Sequence, residues 1–222
     1  DGAASGPIIG LYRNGTSVGS IGAHSSGTYL GTADTGIYFN SGNDSIDPYN
    51  PSVPINRDNA ISLGAGSRRF KDLYLSGGVY LGGTVAANKL DDYEEGNFAP
   101  VYAISGGSVT TGSNAGRYVK IGDFVFFTFR IRTTAVSGTG ALSMTLPFAT
   151  ASENRSGGSK GYARDWGVDM PEFSIYTPPN SSIVLFYRHS MNVSTAQSVT
   201  GSQMGTGSDD NVLEGSIVYK SA

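Results

Sequence analysis

Apolar and polar residues alternate in short runs along this chain, with the two-residue period of a β-strand. The clearest run is DFVFFTFRIR, residues 123–132, one face of which carries only apolar side chains: Val125, Phe127, Phe129 and Ile131. We expect this face to be buried along its whole length. The opposite face starts with Phe124 and Phe126 and continues with Thr128 and two arginines. We therefore expect it to be covered only near its start.

Residues 98–222 contain four further runs of this kind. They are LSMTL at 142–146, FSIYT at 173–177, SIVLFYR at 182–188 and GSIVYKS at 215–221. Pro147 follows the first run and cannot donate a ladder hydrogen bond, so we expect that strand to end there. The second and third runs flank PPNS at 178–181, as the strands of a hairpin do. Strands at this spacing, with no helical period between them, predict an all-β domain of the β-sandwich or jelly-roll type.

The first part of the chain, residues 1–97, has shorter strands that glycine interrupts. Asn14-Gly15 predicts a two-residue hairpin turn, because a type I′ turn needs positive φ at both positions. A strand is predicted within RRFKDLYLSGGVYLGG, residues 68–83, by the alternation of Leu73, Leu75, Val79 and Leu81. The glycines of that run weaken a strand and permit close approach of another chain.

Two further segments of the first part carry different signals. Residues 40–59, rich in Pro, Asn and Asp, predict an irregular connection. The segment ANKLDDYEEG, residues 87–96, is the one helix candidate and ends at Gly96.

Composition changes the interpretation of the first part. Glycine accounts for 32 of the 222 residues. Leu, Ile, Val and Phe make up 20 of the first 97 residues, about 21%, near the level below which chains tend not to fold alone. Such a segment is either disordered or shares a core with copies of itself, and the clean alternation at 73–81 favours sharing.

Charge and cysteine content exclude several classes of function. The net charge is −3 and the pI about 5.3, so we expect no basic field that would bind nucleic acid or an anionic membrane. Cysteine is absent, which excludes disulfides and thiolate metal sites. No apolar stretch approaches the ~20 residues of a membrane span. The chain begins with Asp1 rather than Met, so we expect a fragment of a longer protein.

Three stretches of the chain resemble bacteriophage tail-fibre proteins. They are INRDNAISLGAGSRRFKDLYLSGGVYLGG at 55–83, ANKLDDYEEGNFAP at 87–100, and AGRYVKIGDFVFFTFRI at 115–131 with LSMTLPF at 142–148. The resemblance implies a homotrimeric fibre in the virion, extracellular, whose distal end binds a bacterial surface glycan or an outer-membrane protein. It also implies that a preceding N-terminal part joins the rest of the phage tail.

The resemblance and the patterns together predict an all-β fold with two parts. Residues 1–97 are predicted to form an intertwined trimeric β shaft and linker, and residues 98–222 a jelly-roll-like β-sandwich tip. The predicted trimer core consists of Leu73, Leu75, Val79 and Leu81. Membrane insertion and nucleic-acid binding are not expected.

No catalytic residue, metal site or cofactor is predicted. GTSVG at 15–19 and GGSKG at 157–161 fit the G-x-S-x-G motif, but neither lies between a predicted strand and a helix. His24 and His189 have no partner at metal-ligand spacing. The acids Asp91, Asp92, Glu94 and Glu95 could supply the carboxylate pair of a glycoside hydrolase, although such a run usually forms a solvated surface or pairs with basic residues. A polysaccharide depolymerase and a purely structural virion protein therefore remain alternatives to non-catalytic receptor binding.

The candidate receptor-binding residues lie in KGYARDWGVDM, residues 160–170. This segment holds the only tryptophan and lacks strand alternation, so it is predicted to be a loop. An exposed aromatic ring can stack on a sugar while nearby charged groups bind its hydroxyls. The candidates are Tyr162, Arg164, Asp165 and Trp166, with burial in the core as the alternative for Trp166.

Overall fold

A computed structural model describes residues 5–90, 92–153, 156–167, 173–188 and 195–222. The described backbone is strand and turn, with two short 3₁₀ turns at Ala86–Asn88 and Gly201–Gln203 and no α-helix. The predicted all-β class is confirmed. Contacts within the chain separate two compact units, Asp1–Tyr74 and Leu75–Ala222. The boundary predicted after residue 97 falls inside the second unit.

The first unit is a six-stranded antiparallel meander in which each strand pairs with the next along the chain. Its strands are β1 Ser5–Arg13, β2 Thr16–His24, β3 Gly27–Thr32, β4 Thr35–Asn40, β5 Ser45–Asn50 and β6 Ile55–Asn56. The predicted hairpin turn joins β1 to β2, with φ of 51° at Asn14 and 77° at Gly15. The irregular connection predicted for residues 40–59 is wrong, because β5 and β6 lie within it. The Asp47 carboxylate holds β5 in place by accepting hydrogen bonds from Asn40 and Ser45.

Three tyrosines form a small core on one face of this sheet. Tyr29, Tyr38 and Tyr49 are buried, and the ring centroids of Tyr29 and Tyr49 lie 5.0 Å apart. The His24 ring packs against Tyr49 at 5.5 Å. Strands that are not neighbours thus bring their rings together, and a single chain has a core in its first unit.

The trimer-core candidates are exposed in the single chain. Leu73, Leu75, Val79 and Leu81 are 64%, 55%, 36% and 59% exposed. The strand predicted over residues 68–83 is wrong for most of its length, because only β7, Val79–Tyr80, is a strand, paired with β8, Lys89–Leu90. Among the described residues, no strand pairs with residues 69–78, so alternation alone did not produce a strand there.

The second unit contains one sheet of eleven strands. They are β9 Tyr93–Asn97, β10 Tyr102–Ile104, β11 Ser108–Thr111, β12 Ala115–Ile121, β13 Phe124–Ser137, β14 Leu142–Thr145, β15 Ser156–Arg164, β16 Phe173–Thr177, β17 Ile183–Arg188, β18 Gln197–Ser198 and β19 Asp210–Lys220. The five strands predicted from alternation are confirmed as β13, β14, β16, β17 and β19. The predicted helix at 87–96 is wrong, because β9 instead pairs with β12 and forms the edge of this sheet.

The eleven-stranded sheet curls around its own core. Tyr102, near one end of the strand order, and Val125 and Phe127, nearer the other end, belong to the same buried cluster. The predicted inner face of β13 is confirmed, because each of its four apolar residues is at most 5% exposed. The sheet therefore supplies a rigid support for the side chains on its outer face.

Candidate functional site

Strand β15 carries two of the four predicted receptor-binding residues. Tyr162 lies opposite Glu214 of β19, and Arg164 lies opposite Val212. The prediction that both lie in a loop is wrong. A register shift between Lys160 and Tyr162 interrupts the alternation of side chains along β15, and this bulge hides the strand from a sequence pattern.

Trp166, which follows β15, contributes to the core. The indole is half-buried against the main cluster and its centroid lies 5.7 Å from that of Phe173. Its Nε1 donates a hydrogen bond of 3.2 Å to the carbonyl oxygen of Val212. This geometry agrees with the alternative prediction, in which Trp166 packs in the core. The indole nitrogen is therefore occupied within the chain.

Arg164 belongs to a group of charged side chains that we call the arginine–aspartate cluster, formed by Arg132, Arg164, Asp165 and Asp209. Arg164 donates to Asp165 and, over 3.2 Å, to Asp209. Arg132 also donates to Asp209. The hydrogen bonds from Arg132 and Arg164 hold the pKa of the Asp209 carboxyl below its ordinary value. The cluster thus presents charged groups of both signs in a fixed arrangement.

Asn211, which the sequence patterns did not single out, fixes the turn beneath this cluster. It is fully buried and adopts a φ of 55°, which asparagine tolerates better than most residues. Its side chain donates to Thr133 Oγ1 over 2.6 Å and to the Gly205 carbonyl over 2.8 Å. Its backbone N–H donates to the carbonyl of Asp165. Asn211 therefore joins the Asp165 turn to strand β13.

The exposed part of this region is the outer face of β15 and its neighbours. Tyr162 is 50% exposed, and Glu214 opposite it forms an ion pair of 3.1 Å with Arg130. Of the four predicted residues, Tyr162, Arg164 and Asp165 present polar atoms to solvent. A phenol ring beside fixed guanidinium and carboxylate groups can stack on a sugar ring and bind its hydroxyls.

The acidic run considered for glycoside hydrolysis is engaged in local contacts. Asp92 pairs with Lys120, and Glu94 accepts a 2.5 Å hydrogen bond from the Tyr118 hydroxyl. Glu95 lies 3.5 Å from Arg117. Asp91 lies outside the described residues. The described acids of this run thus each contact a cation or a phenol.

The other candidates for chemistry lie in structural positions. Ser17 and Ser159 of the two G-x-S-x-G motifs lie within β2 and β15, so neither lies at a turn between a strand and a helix. The His24 ring is 2.7 Å from the Ser5 hydroxyl, through Nδ1, and His189 lies outside the described residues. Over the described part of the chain, no three His, Cys, Asp or Glu residues group as metal ligands do. In the same part, no helix has the length and apolarity that a membrane crossing requires.

Comparison with known proteins gives little similarity. The chain matches no protein-family model, and no curated protein matches it. Among solved structures, the crystal structure of the Dettilon tailspike protein is similar, with a TM-score of 0.46 and 20% sequence identity. The similarity covers 56% of this chain and 23% of the tailspike chain, so this chain spans less than a quarter of that protein. A likeness this weak assigns neither a fold family nor a function.

Proposed function

We propose that this chain is a distal part of a phage tail fibre, which binds a bacterial surface glycan or protein as a homotrimer and without catalysis. The observation that carries the proposal is a set of exposed large apolar side chains. They lie in the segment of the chain between the six-stranded sheet and the eleven-stranded sheet. Leu63, Phe70, Leu73, Tyr74 and Leu75 are all more than half exposed. Large apolar side chains that are exposed together in a short stretch of sequence, rather than scattered singly, are consistent with an interaction surface. The same stretch carries the sequence resemblance to tail fibres.

The homotrimer gives this exposed stretch a partner. In a three-chain shaft, the apolar side chains of each copy pack against those of its neighbours. Three identical tips then bind one cell surface together, which raises avidity without a new contact in any single site. Moderate affinity at each tip is sufficient for firm attachment.

The receptor site in this proposal is the outer surface around Tyr162 and the arginine–aspartate cluster. The second unit has a complete core, so this surface is held in shape without a ligand. The Tyr162 ring supplies a stacking platform. Arg164 and Asp165 supply groups that bind sugar hydroxyls or a polar protein surface.

A binding and release assay on whole cells tests the proposal. Fluorescently labelled protein is incubated with a panel of bacterial strains, and the supernatant is analysed for released saccharide. We expect saturable binding to some strains and no release. Release of oligosaccharide would identify a depolymerase, and the absence of binding to any strain would favour a structural virion protein. Solution mass, measured on the same sample, tests the trimer separately.

A further inference from the structure

On the outer face of the eleven-stranded sheet, three neighbouring strands change from apolar to polar side chains at the same level. On β13, Phe124 and Phe126 give way to Thr128 and Arg130. On β12, which pairs with β13, Ile121 and Val119 lie opposite the two phenylalanines, and Arg117 lies opposite Thr128. On β19, on the other side, the change falls between Val218, opposite Phe126, and Ser216, opposite Thr128. One end of this face is thus largely apolar, with Lys220 opposite Phe124 at its outer limit, and the other end is polar.

The apolar end forms what we call the outer apolar patch, defined by Tyr93, Ile121, Phe124, Phe126 and Val218. Tyr93 of β9 extends it to the sheet edge, because it lies opposite Ile121. Its members are between 43% and 60% exposed in the single chain. The pattern of β13 predicts that the start of its outer face is covered, and the chain itself does not cover it.

The patch has the size that an interface needs. An aromatic side chain can bury 150–250 Å², so the three aromatic members at about half exposure present roughly 225–375 Å², to which Ile121 and Val218 add. A standard interface buries about 800 Å² on each partner, of which slightly more than half is apolar, or roughly 450 Å². The patch is therefore comparable in size to the apolar part of one such interface, and in a trimer it is divided between the contacts with two neighbouring copies.

Charges around the patch indicate what kind of partner fits. Arg117 pairs with Glu95 over 3.5 Å. At the other end, Lys220 pairs with Glu153 and, over 3.4 Å, with Asp123. A rim of two cations and three carboxylates has a small net charge, so it attracts a strongly charged polymer little, and its mixed signs are compatible with a rim identical to itself.

We infer that the outer apolar patch is covered by the same patch of other copies of this chain. Around a common axis, the apolar ends of three such sheet faces bury against each other, and the polar ends, with Tyr162 beyond them, stay in solvent. This inference rests on the homotrimer proposed above and adds a second contact region, separate from the Leu73–Leu81 stretch.

Single cysteines test the inference cleanly, because the chain contains none. Val218→Cys lies in the patch, and Ser216→Cys is its matched control on the same face of the same strand. In the assembled protein, we expect maleimide to label position 218 at least about tenfold more slowly than position 216. A short bismaleimide should join copies through position 218. Equal labelling rates and no linked copies in a trimeric sample would overturn the inference and leave the trimer standing.

The solution mass of the same samples separates the two proposals. A monomeric parent would refute the homotrimer, and this inference with it. If Val218→Cys fails to fold, Ile121→Cys and Arg117→Cys repeat the comparison on β12. Labelling of Ile121→Cys as fast as that of Arg117→Cys in a trimeric sample would again overturn the inference, whereas slow labelling at position 121 supports it.

Discussion

At the scale of single residues, two tyrosines in the core of the second unit differ in what their hydroxyl groups contact. The Tyr219 hydroxyl accepts from the Phe148 N–H and donates to the Phe148 carbonyl, both over 3.1 Å. The Tyr102 hydroxyl is buried without a hydrogen-bond partner among the described residues. A buried polar group without a partner costs free energy, and removal of one member of a hydrogen bond leaves the other in that state.

The two tyrosines therefore predict opposite effects of the same substitution. Tyr219→Phe should lower the free energy of unfolding by about 1–3 kcal/mol, because it leaves backbone groups of Phe148 unpaired. Tyr102→Phe should leave it unchanged or raise it by about 1 kcal/mol. Urea unfolding, monitored by the far-UV circular dichroism of the backbone, measures the free energy of unfolding of both variants. If Tyr102→Phe lowers the free energy of unfolding as much as Tyr219→Phe does, the Tyr102 hydroxyl has a hydrogen-bond partner after all.

The same hydroxyls predict how stability depends on alkaline pH. Burial raises the pKa of Tyr219 from 10.0 to about 12, and it raises the pKa of Tyr102 as well. The unfolded chain ionises first, so their contribution is complete below pH 10 and is lost as the pH rises through the folded-state pKa. Each group adds a slope of at most about 1.4 kcal/mol per pH unit. Unfolding curves at a series of pH values should show this slope, and the Tyr102→Phe/Tyr219→Phe double variant should flatten it.

Glycine in the first unit has a specific steric role at a few positions. A Cβ on Gly22 would lie 2.4 Å from the Tyr29 hydroxyl and 2.3 Å from the Gly6 carbonyl. Gly27 is equally close to the Tyr38 ring. These glycines make room for the tyrosines of neighbouring strands. The glycine content was visible in the sequence, but the ring that needs each glycine depends on register, which composition does not contain.

Gly22→Ala should therefore destabilise the first unit by about 1–3 kcal/mol, the usual cost of overpacking. Gly66→Ala is the matched control, because a Cβ there meets nothing within 4 Å. Limited proteolysis at increasing temperature, with cleavage sites in the first unit mapped by mass spectrometry, compares the two. Equal protection in both variants would show that the Tyr29 ring moves aside without cost.

At the scale of secondary-structure elements, the sequence predicts the strands that alternate regularly and have a partner on each side. β13 is the best case, since its buried face follows from DFVFFTFRIR, whereas the start of its other face, predicted to be covered, is exposed in the single chain. β15 is the opposite case, because its bulge shifts the pattern by one residue. The segment from residue 71 to 78 alternates and still forms no strand, and no strand in the described part of the chain pairs with it. The alternation of apolar and polar residues predicts which side chains share a face. The pairing of strands depends on residues that are distant in the chain.

The position of Tyr162 on β15 makes a sharper test of the receptor site than a loop residue would. Tyr162→Ala should weaken binding to a susceptible strain at least about tenfold, with the melting temperature within about 2 °C of the parent. Tyr12→Ala is the control, since Tyr12 is 69% exposed in the first unit. Arg164→Ala is less clean, because it also removes the hydrogen bonds from Arg164 to Asp165 and Asp209. Unchanged cell binding by Tyr162→Ala would remove this face from the receptor site.

At the scale of the whole molecule, the count of apolar residues underestimated the ability of the first unit to form a core of its own. Leu, Ile, Val and Phe are sparse there, but the three buried side chains of its core are tyrosines. The large aliphatic side chains of the same unit lie instead on exposed positions, such as Leu30, Ile37 and Ile46. The unit thus has a core and still presents apolar surface. The exposed aliphatic side chains fit the proposed association of copies, and the tyrosines supply the core that the apolar count missed.

Assembly predicts a mass and a way to disrupt it. The parent should have three times the chain mass of 23.1 kDa in solution. Leu75→Asp should lower that mass or the melting temperature of the trimer, because three carboxylates would meet at one level of a shared core. Burial of an unpaired charge costs several kcal/mol for each ion, and each 1.4 kcal/mol changes an association constant about tenfold. Ser76→Asp is the control, since it adds the same charge one residue later, and sedimentation equilibrium with parallel melting curves compares the variants. If Leu75→Asp and Ser76→Asp have the same mass and the same melting temperature as the parent, Leu75 faces solvent in the assembled protein.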